Sequence, residues 1–326
     1  MNEFLPLLPL IVPSFSSKGN LMIKDEQNNK IVSDNYGLLI SIDIKLSRTY
    51  LLSAYDIYYG FMPQNPEMWP ESEYLFIDSG GYEINDSFDM SERNKYNYKV
   101  LPWDKEKMEK VYRIVYESQK HKSCNMVFSC FDSYEDFQVQ IDNANNLSSR
   151  FPRAKINCII KCLDIRELIR SISEGVVSLN GIAILGVTEK ELGLTVYQRV
   201  INLIDLKDAL LEKGWNGYIH IFGGLEPNLI NLYYWAGADI FDGLAWQRYW
   251  LRDDTFLFSP QKYNARLDEF QNKYIMMCDN LAFLQSLCTD LSANVASRND
   301  QRQIIKERLS IAGDLMIQDI LNMLEV

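Results

Sequence analysis

Histidine is scarce in this chain, and its cysteines are not paired by spacing. The 326 residues include only two histidines, His121 and His220, and six cysteines that form no C-x-x-C pair. A multi-histidine metal site and a disulfide framework are therefore excluded as organising features. Several cysteines lie within apolar runs, so we expect buried, reduced thiols, with no metal site and no cofactor.

The chain also has fewer basic than acidic residues and few long hydrophobic runs. Lys and Arg total 33 against 44 Asp and Glu, a net charge of −11 that disfavours tight nonspecific binding to nucleic acid. The N-terminal apolar run from Leu5 to Val12 is short and is interrupted by Pro6 and Pro9. It fits neither a membrane span nor a signal peptide, so we expect a cytoplasmic protein without membrane contact.

What the chain does have is a regular alternation of short apolar runs and longer amphipathic stretches from about residue 50. This alternation predicts a (β/α)8 TIM barrel, with a doubly wound open sheet as the alternative. We expect a single compact unit made of an irregular or β-rich preface (1–48), the barrel (49–259) and a helical C-terminal appendage (260–326), with the eighth strand after Trp246. The predicted strands are Tyr50–Ser53, Tyr74–Ile77, Met126–Phe131, Ile156–Lys161, Gly181–Leu185, Tyr218–Phe222 and Asp239–Leu244. The predicted helices between them are Asp104–His121, Tyr134–Ser149, Ile165–Ser173, Glu189–Lys213 and Pro227–Ala236.

Three of the predicted strands lead into an aspartate. Asp78 and Asp132 follow apolar runs, and Asp242 lies in the run Ala238-Asp239-Ile240-Phe241-Asp242-Gly243. In a barrel these positions face one mouth, where neighbouring carboxylates raise one another's pKa and divide acid and base roles between them. Each aspartate could instead only cap a following turn or helix.

Other residues carry weaker signals. Lys161 ends a predicted strand, where it could form a Schiff base, bind an anion or extend to solvent. Gly223-Gly224 precedes Pro227 and predicts a tight turn into a helix, with phosphate binding as the alternative. His220 lies within a strand and is interpreted as a hydrogen-bonded core histidine rather than a catalytic one.

Several motifs, in collinear order over residues 50 to 245, resemble the tRNA-guanine transglycosylase family. Asp78-Ser79-Gly80-Gly81-Tyr82 matches that family's D-S-G-G-[FY], and Phe131-Asp132 falls at its F-D. The other similar segments are Leu51 to Tyr55, Gly181 to Val187, His220 to Pro227 and Gly237 to Asp242.

The resemblance implies a barrel enzyme that exchanges guanine for a 7-deazaguanine. It implies that Asp242 is the nucleophile that forms a covalent glycosyl-enzyme, and that Asp78 transfers protons to the leaving base and from the incoming base. Base-binding roles are implied for Asp132, Tyr82, Ser79, Lys161, Gly186, Val187 and Gly224.

The chain also departs from the family. The family's zinc site, C-x-C-x-x-C with a later histidine, cannot form, because no histidine follows His220. Lys161 stands where the family has a base-recognising glutamine, and Leu185 replaces the first glycine of G-G-L. The missing zinc site and the charge of −11 favour an acceptor other than ordinary tRNA.

We therefore expect a divergent paralogue of the kind found in DNA-deazapurine modification and antiviral, phage-defence operons. Its partners would be a guanine or 7-deazaguanine base and DNA, a non-standard RNA or a base-modified protein, and the oligomeric state stays open. The alternatives are a catalytically silent barrel that binds a 7-deazapurine or a partner protein, and a barrel lyase or aldolase that uses Lys161.

Overall fold

Eight parallel strands close into a barrel whose C-terminal ends carry the predicted aspartates. The structure, a computed structural model, describes residues 9–18, 20, 22–25, 30–41, 48–85, 99–251, 256–258 and 266–312. The barrel strands are β1 (Leu10–Phe15), β4 (Thr49–Ser53), β5 (Tyr74–Asp78), β6 (Asn125–Ser129), β7 (Lys155–Ile159), β8 (Ile184–Thr188), β9 (Tyr218–Phe222) and β10 (Ile240–Gly243). Their order around the barrel is β1-β10-β9-β8-β7-β6-β5-β4, closed by parallel pairing of β1 with β4. The chain is thus a (β/α)8 TIM barrel.

Helices cover the barrel and continue beyond it, and two short antiparallel hairpins lie outside it. The hairpins pair β2 (Met22–Asp25) with β3 (Lys30–Ser33), and β11 (Tyr249–Leu251) with β12 (Phe256–Phe258). The helices are α1 (Asn35–Ser41), α2 (Ala54–Tyr59), α3 (Gly81–Ile84), α4 (Lys105–Glu117), α5 (Phe137–Arg150), α6 (Ile165–Ser173), α7 (Glu189–Leu192), α8 (Val196–Glu212), α9 (Pro227–Ala236), α10 (Ala245–Arg248), α11 (Glu269–Ala293) and α12 (Arg298–Ala312). Single 3₁₀ turns occupy Pro66–Met68 and Val295–Ser297.

The eighth barrel strand corrects the predicted boundaries. It does not follow Trp246: it is β1, in the segment 1–48 that was predicted to be an irregular or β-rich preface outside the barrel, so the barrel begins at residue 10. Pro13 masked this strand in the sequence, because proline removes a donor from a sheet. In the fold Pro13 stands where the pairing of β1 passes from β10 to β4, and the Thr49 hydroxyl adds a hydrogen bond to the Ile11 carbonyl at 2.6 Å.

The helical C-terminal region packs onto the barrel. Helix α11 contacts β1, and α12 contacts α8 and α9. Among the α12 side chains whose burial is described, Ile305 and Leu309 are buried and Ile304 is exposed. The predicted preface and appendage also include residues 1–8, 19, 21, 26–29, 42–47, 260–265 and 313–326, which lie outside the described part of the chain.

Apolar side chains form two cores, one inside the barrel and one between the sheet and the helices. Because successive strand residues face opposite sides, alternate positions fill the interior. The interior cluster comprises Leu10, Val12, Leu51, Tyr74, Phe76, Val127, Ile184, Tyr218 and Ile240. All six cysteines are free thiols; Cys130, Cys158 and Cys162 are buried and the other three are partly exposed. In the part of the chain that is described, no helix has the length and hydropathy needed to cross a bilayer.

Candidate active site

The inward-facing positions change from apolar to polar towards the C-terminal ends of the strands. On β1 the inward series runs Leu10, Val12, Ser14, and on β5 it runs Tyr74, Phe76, Asp78. Asp242 continues the inward series of β10 after Ile240. The same alternation that fills the barrel base with aliphatic and aromatic side chains therefore gives the mouth its hydrogen-bonding groups.

The structure brings the three predicted aspartates to this mouth. Asp78 is the last residue of β5, Asp242 lies in β10, and Asp132 follows the end of β6. Burial, followed by the charges of Asp132, Glu83 and Asp242, holds the pKa of Asp78 well above its usual range. An aspartate in these surroundings keeps its proton to unusually high pH, as a general acid requires.

Asp242 is held from two sides by hydrogen-bond donors. The Ser14 hydroxyl donates to Oδ2 at 2.8 Å, and the Gly223 backbone N–H donates to Oδ1 at 3.0 Å. His220 Nε2 lies 3.4 Å from the same Oδ1. The side chain is buried, so these contacts fix one orientation of the carboxylate. A nucleophile needs such fixed geometry relative to the reacting carbon.

Asp132 packs directly over the glycine turn of the motif. The Ser79 hydroxyl donates to Asp132 Oδ1 at 2.6 Å, and a Cβ at position 81 would clash with Oδ2. Burial raises the pKa of Asp132, while the Ser79 hydrogen bond and the Lys161 charge oppose that rise. Ser79 therefore acts on Asp132 in this structure, and Gly81 supplies the space that Asp132 occupies.

Lys161 is paired at the mouth. Its Nζ lies 2.8 Å from Glu191 Oε1, and the Thr188 N–H and hydroxyl hold Glu191 in a capping box at the start of α7. Burial by itself would lower the pKa of Lys161, but the hydrogen bond to Glu191 and the charge of Asp132 raise it above its ordinary value. A Schiff-base lysine needs the opposite shift, so this environment disfavours the aldolase interpretation.

Tyr82 follows the glycine turn and rests on a buried lysine. Lys18 Nζ lies 4.7 Å from the centre of the Tyr82 ring and donates to the Tyr82 carbonyl at 3.0 Å. Arg248 donates to the Tyr82 hydroxyl at 3.3 Å. Cation–π contact and these hydrogen bonds fix the ring at the mouth, where a flat base could stack on it.

Glu83, one residue further, is a mouth carboxyl that the sequence analysis missed. It is buried and accepts hydrogen bonds from the hydroxyls of Ser16 and Ser53. Burial raises its pKa, and the hydrogen bonds and the Lys18 charge moderate the rise. Its position beside the Asp-Ser-Gly-Gly-Tyr motif was a signal, but the two serines come from distant strands and nothing in the spacing showed that they meet it.

The three backbone positions expected in base binding have different surroundings. A Cβ at Gly186 would lie 2.6 Å from the Phe222 ring and 2.8 Å from Asn157 Oδ1, so only glycine fits there. The Val187 side chain packs in the outer core, which leaves its backbone as the part that could contact a base. Gly224 is buried against Ile221, and it is the preceding Gly223 that donates to Asp242.

His220 lies closer to the candidate active-site aspartate Asp242 than its position in the sequence indicates. It is a fully buried, hydrogen-bonded histidine, as expected, but it lies inside the barrel directly beside Asp242. Its ring stacks on Phe222 with centroids 4.1 Å apart, and its Nδ1 lies 2.6 Å from Asn157 Nδ2. Residues 157 and 220 belong to β7 and β9, so only barrel closure shows that they meet.

The mouth is rich in carboxyl groups, yet its donors do not converge as metal ligands do. Across the described ranges, no group of three or more His, Cys, Asp or Glu side chains has an arrangement that could hold a metal ion. Hydroxyls, backbone N–H groups and ammonium groups contact the carboxylate oxygens of the mouth instead.

Comparison with known proteins gives no assignment for this chain. No protein-family model matches it, and no curated protein matches it with significant similarity. Functional inference therefore depends on the mouth itself and on the motif resemblance.

Proposed function

We propose that this chain is a transglycosylase-like enzyme, a glycosyltransferase that cleaves the N-glycosidic bond to a guanine or 7-deazaguanine base through a covalent intermediate on Asp242. The observation that carries the proposal is the pairing of Asp78 and Asp242 in one mouth. Asp78 is surrounded so that it retains a proton, and Asp242 is fixed by Ser14 and Gly223 as a hydrogen-bond acceptor. Carboxyl groups with divided roles are what glycosidic chemistry requires.

In the first step an Asp242 carboxylate oxygen attacks the sugar C1′. The C1′–oxygen bond forms as the bond from C1′ to the base nitrogen breaks, and the bonding electrons leave with the base. Asp78 gives its proton to the departing base and becomes a carboxylate. The product is a glycosyl ester of Asp242 and a free base.

The second step reverses these roles. The Asp78 carboxylate takes the proton from the ring nitrogen of an incoming base, that nitrogen attacks C1′, and the ester bond to Asp242 breaks. Water in place of the base would give removal instead of exchange. Either way Asp78 recovers its proton and Asp242 its charge, so no further co-reactant is needed.

The surrounding residues suit a guanine-like base. Asp132 accepts hydrogen bonds, and the Watson–Crick edge of guanine presents two adjacent N–H donors to such a carboxylate. Tyr82 offers a ring for stacking, and Lys161 offers an ammonium group near Asp132 that suits the guanine carbonyl. These donors and acceptors together match the polarity of a guanine or 7-deazaguanine edge.

The acceptor we propose is DNA, a non-standard RNA or a base-modified protein rather than ordinary tRNA. The zinc site by which the resembled family docks ordinary tRNA cannot form in this sequence. The net charge of −11 disfavours tight nonspecific binding of any nucleic acid, so a DNA or RNA acceptor would have to be held by local contacts. An enzyme of this kind fits a DNA-modification or antiviral defence system.

The test is incorporation of radiolabelled guanine or 7-deazaguanine into separated DNA, RNA and protein pools, with Asp242→Asn as the inactive variant. Asp142→Asn, an exposed change on α5, is the matched control. We expect label in one pool with wild type and the control, none with Asp242→Asn, and a trapped adduct on Asp242. Absence of both label and adduct with every pool would exclude the proposal.

A catalytically silent barrel that binds a 7-deazapurine or a partner protein is the second candidate. The observation that favours it is the Lys161–Glu191 ion pair, because a self-satisfied pair occupies the position at which the family resemblance implies base recognition. Calorimetric binding of a 7-deazapurine without any adduct on Asp242 would support this candidate over the first.

A further inference from the structure

His220 occupies the barrel interior immediately below the mouth. It is fully buried, stacks on Phe222, and meets Phe76 edge-on with ring centroids 5.8 Å apart. Its two ring nitrogens face two different polar groups: Nδ1 lies 2.6 Å from Asn157 Nδ2, and Nε2 lies 3.4 Å from Asp242 Oδ1. Asn157 is also fully buried.

The two neighbours together select one tautomer of the imidazole. In the amide orientation of this structure the Asn157 nitrogen faces the ring and can only donate, so Nδ1 presents its lone pair. In a neutral ring the proton then resides on Nε2, and the Nε2–H faces the Asp242 carboxylate. The other tautomer would set two lone pairs against each other at Asp242 and two N–H groups against each other at Asn157.

We propose that Asn157 and His220 are positioning residues for Asp242: Asn157 fixes the His220 tautomer, and His220 Nε2–H holds Asp242 Oδ1. The catalytic part of this inference rests on the proposed function, whereas the tautomer does not. At 3.4 Å the contact is longer than an ordinary hydrogen bond, so it orients the resting carboxylate without binding it tightly.

This arrangement distinguishes the two oxygens of Asp242. Oδ1 accepts the Gly223 N–H at 3.0 Å, and His220 Nε2 lies 3.4 Å from the same oxygen without completing a hydrogen bond, so two donors face Oδ1. Within the described ranges, the donor at Oδ2 is the Ser14 hydroxyl alone, which leaves this oxygen one acceptor direction. Oδ2 is therefore the attacking oxygen, and Oδ1 becomes the ester carbonyl. When the ester breaks, the N–H groups at Oδ1 stabilise the returning charge.

The tautomer can be measured directly, because the chain has only one other histidine. Protein labelled with ¹⁵N-histidine gives two imidazole spin systems, and His121→Gln identifies that of His220. We expect a bare Nδ1 and a protonated Nε2 in wild type. In Asn157→Asp the new carboxylate should draw a proton onto Nδ1. A protonated Nδ1 in wild type, or an unchanged ring in Asn157→Asp, would overturn the inference.

The catalytic role is tested by the single-turnover rate of adduct formation on Asp242. His220→Leu and Asn157→Leu should slow this rate on the order of 10²-fold, the effect of losing one preorganised donor. The dissociation constant for the free base should stay within about twofold, since neither residue is assigned a contact with the base. His220→Gln places an amide N–H near the position of Nε2 and should recover part of the rate.

The outcomes separate the two proposals. If His220→Leu and His220→Gln slow adduct formation equally, His220 has a packing role, and positioning of Asp242 through the N–H is refuted. Normal rates in all three variants, with a wild-type adduct, would refute the inference and leave the proposed function intact. If wild type forms no adduct, the proposed function fails, and the tautomer measurement then decides by itself whether Asn157 fixes His220 towards Asp242.

Discussion

Asp78 is buried among three other carboxyl groups, and burial together with their charges holds its pKa well above its usual range. Burial is the largest cause of its raised pKa, and the charges of Asp132, Glu83 and Asp242 add to it. Glu83 is the only one of these three that has no role in the proposed reaction. It therefore offers a way to change the acidity of Asp78 while leaving the reacting groups in place.

The Glu83→Gln variant should lower the pKa of Asp78. Removing the negative charge of Glu83 makes ionisation of Asp78 less costly, because that charge is one of the causes that raise the pKa of Asp78. Because the proposed reaction uses Asp78 as an acid, the high-pH limb of the adduct-formation profile should move to lower pH. Carboxyl ¹³C NMR, with Asp78 assigned through Asp78→Asn, measures the midpoint without relying on activity.

Glu106→Gln, an exposed change on α4, serves as the control and should leave the Asp78 midpoint where it is. A midpoint that stays the same in Glu83→Gln, or that rises, would mean that Glu83 does not set the acidity of Asp78.

At the scale of elements, the turn from β5 into α3 organises the mouth. Gly80 has a φ of +88°, and a Cβ there would press on Tyr55 and Trp103. Gly81 has ordinary backbone angles but lies against the Asp132 carboxylate. Gly80 is therefore needed for its backbone conformation as well as for space, and Gly81 for space alone.

Gly81→Ala should therefore displace Asp132 and weaken base binding. The added methyl would overlap Asp132 Oδ2, so either that side chain or the turn must move. We expect at least a tenfold rise in the dissociation constant for a guanine-like base, about 1.4 kcal/mol, measured by calorimetry.

Gly37→Ala in α1 is the matched comparison, because no atom lies within 4 Å of the added methyl. That variant should keep wild-type base affinity and gain slightly in thermal stability. Wild-type affinity in Gly81→Ala would show that Asp132 does not bind the base.

Local sequence patterns were sufficient for some elements and not for others. Helices α6 and α9 and strand β9 have the predicted bounds, because each is a short periodic segment with clear flanking signals. The predicted helix Glu189–Lys213 is wrong: it is two helices, α7 and α8, separated at Gly193 and each begun by a threonine capping box. The predicted strand Gly181–Leu185 lies three residues too early, since Gly181 has a φ of +84° and belongs to the preceding turn.

At the scale of the whole molecule, a buried ion cluster joins the C-terminal helices to the barrel. Arg298, at the start of α12, donates to Asp239 Oδ1 at 2.7 Å and to the Tyr234 carbonyl at 2.8 Å. Lys207 Nζ lies 3.5 Å from Asp239 Oδ2. Burial would raise the pKa of Asp239, but the charges of Lys207 and Arg298 lower it below its ordinary value.

Arg298→Met should destabilise the fold by about 3 kcal/mol at neutral pH, the cost of breaking a buried ion pair from one side. A depressed pKa contributes stability above the unfolded value, about 3.9, and this contribution is lost as pH falls through the folded value. The difference in unfolding free energy between wild type and Arg298→Met should therefore shrink below about pH 4. Urea denaturation at a series of pH values measures it.

Arg302→Met, on the same helix, removes a more exposed pair with Asp208 and should cost about 1 kcal/mol or less. Two results would contradict the role assigned to Asp239. One is an equal loss of unfolding free energy in Arg298→Met and Arg302→Met; the other is a destabilisation by Arg298→Met that grows towards low pH.

The sequence by itself determined the class of fold and the acids of the mouth. Parallel strands in a barrel bring their C-terminal ends together, so an aspartate at the end of an apolar run could be assigned to the mouth without coordinates. Asp78, Asp132 and Asp242 were predicted in this way. Periodicity and helix capping depend on residues only a few positions apart, so they can be recognised in the sequence without coordinates.

Only the tertiary structure decided how these acids are held. Ser14 reaches Asp242 across 228 residues of chain because β1 closes the barrel beside β10, and Asn157 reaches His220 across 63 residues. Burial of Glu83 likewise needs serines from two separate strand ends. Strand order and closure set such contacts, and a pattern that repeats every two or every 3.6 residues carries no information about them.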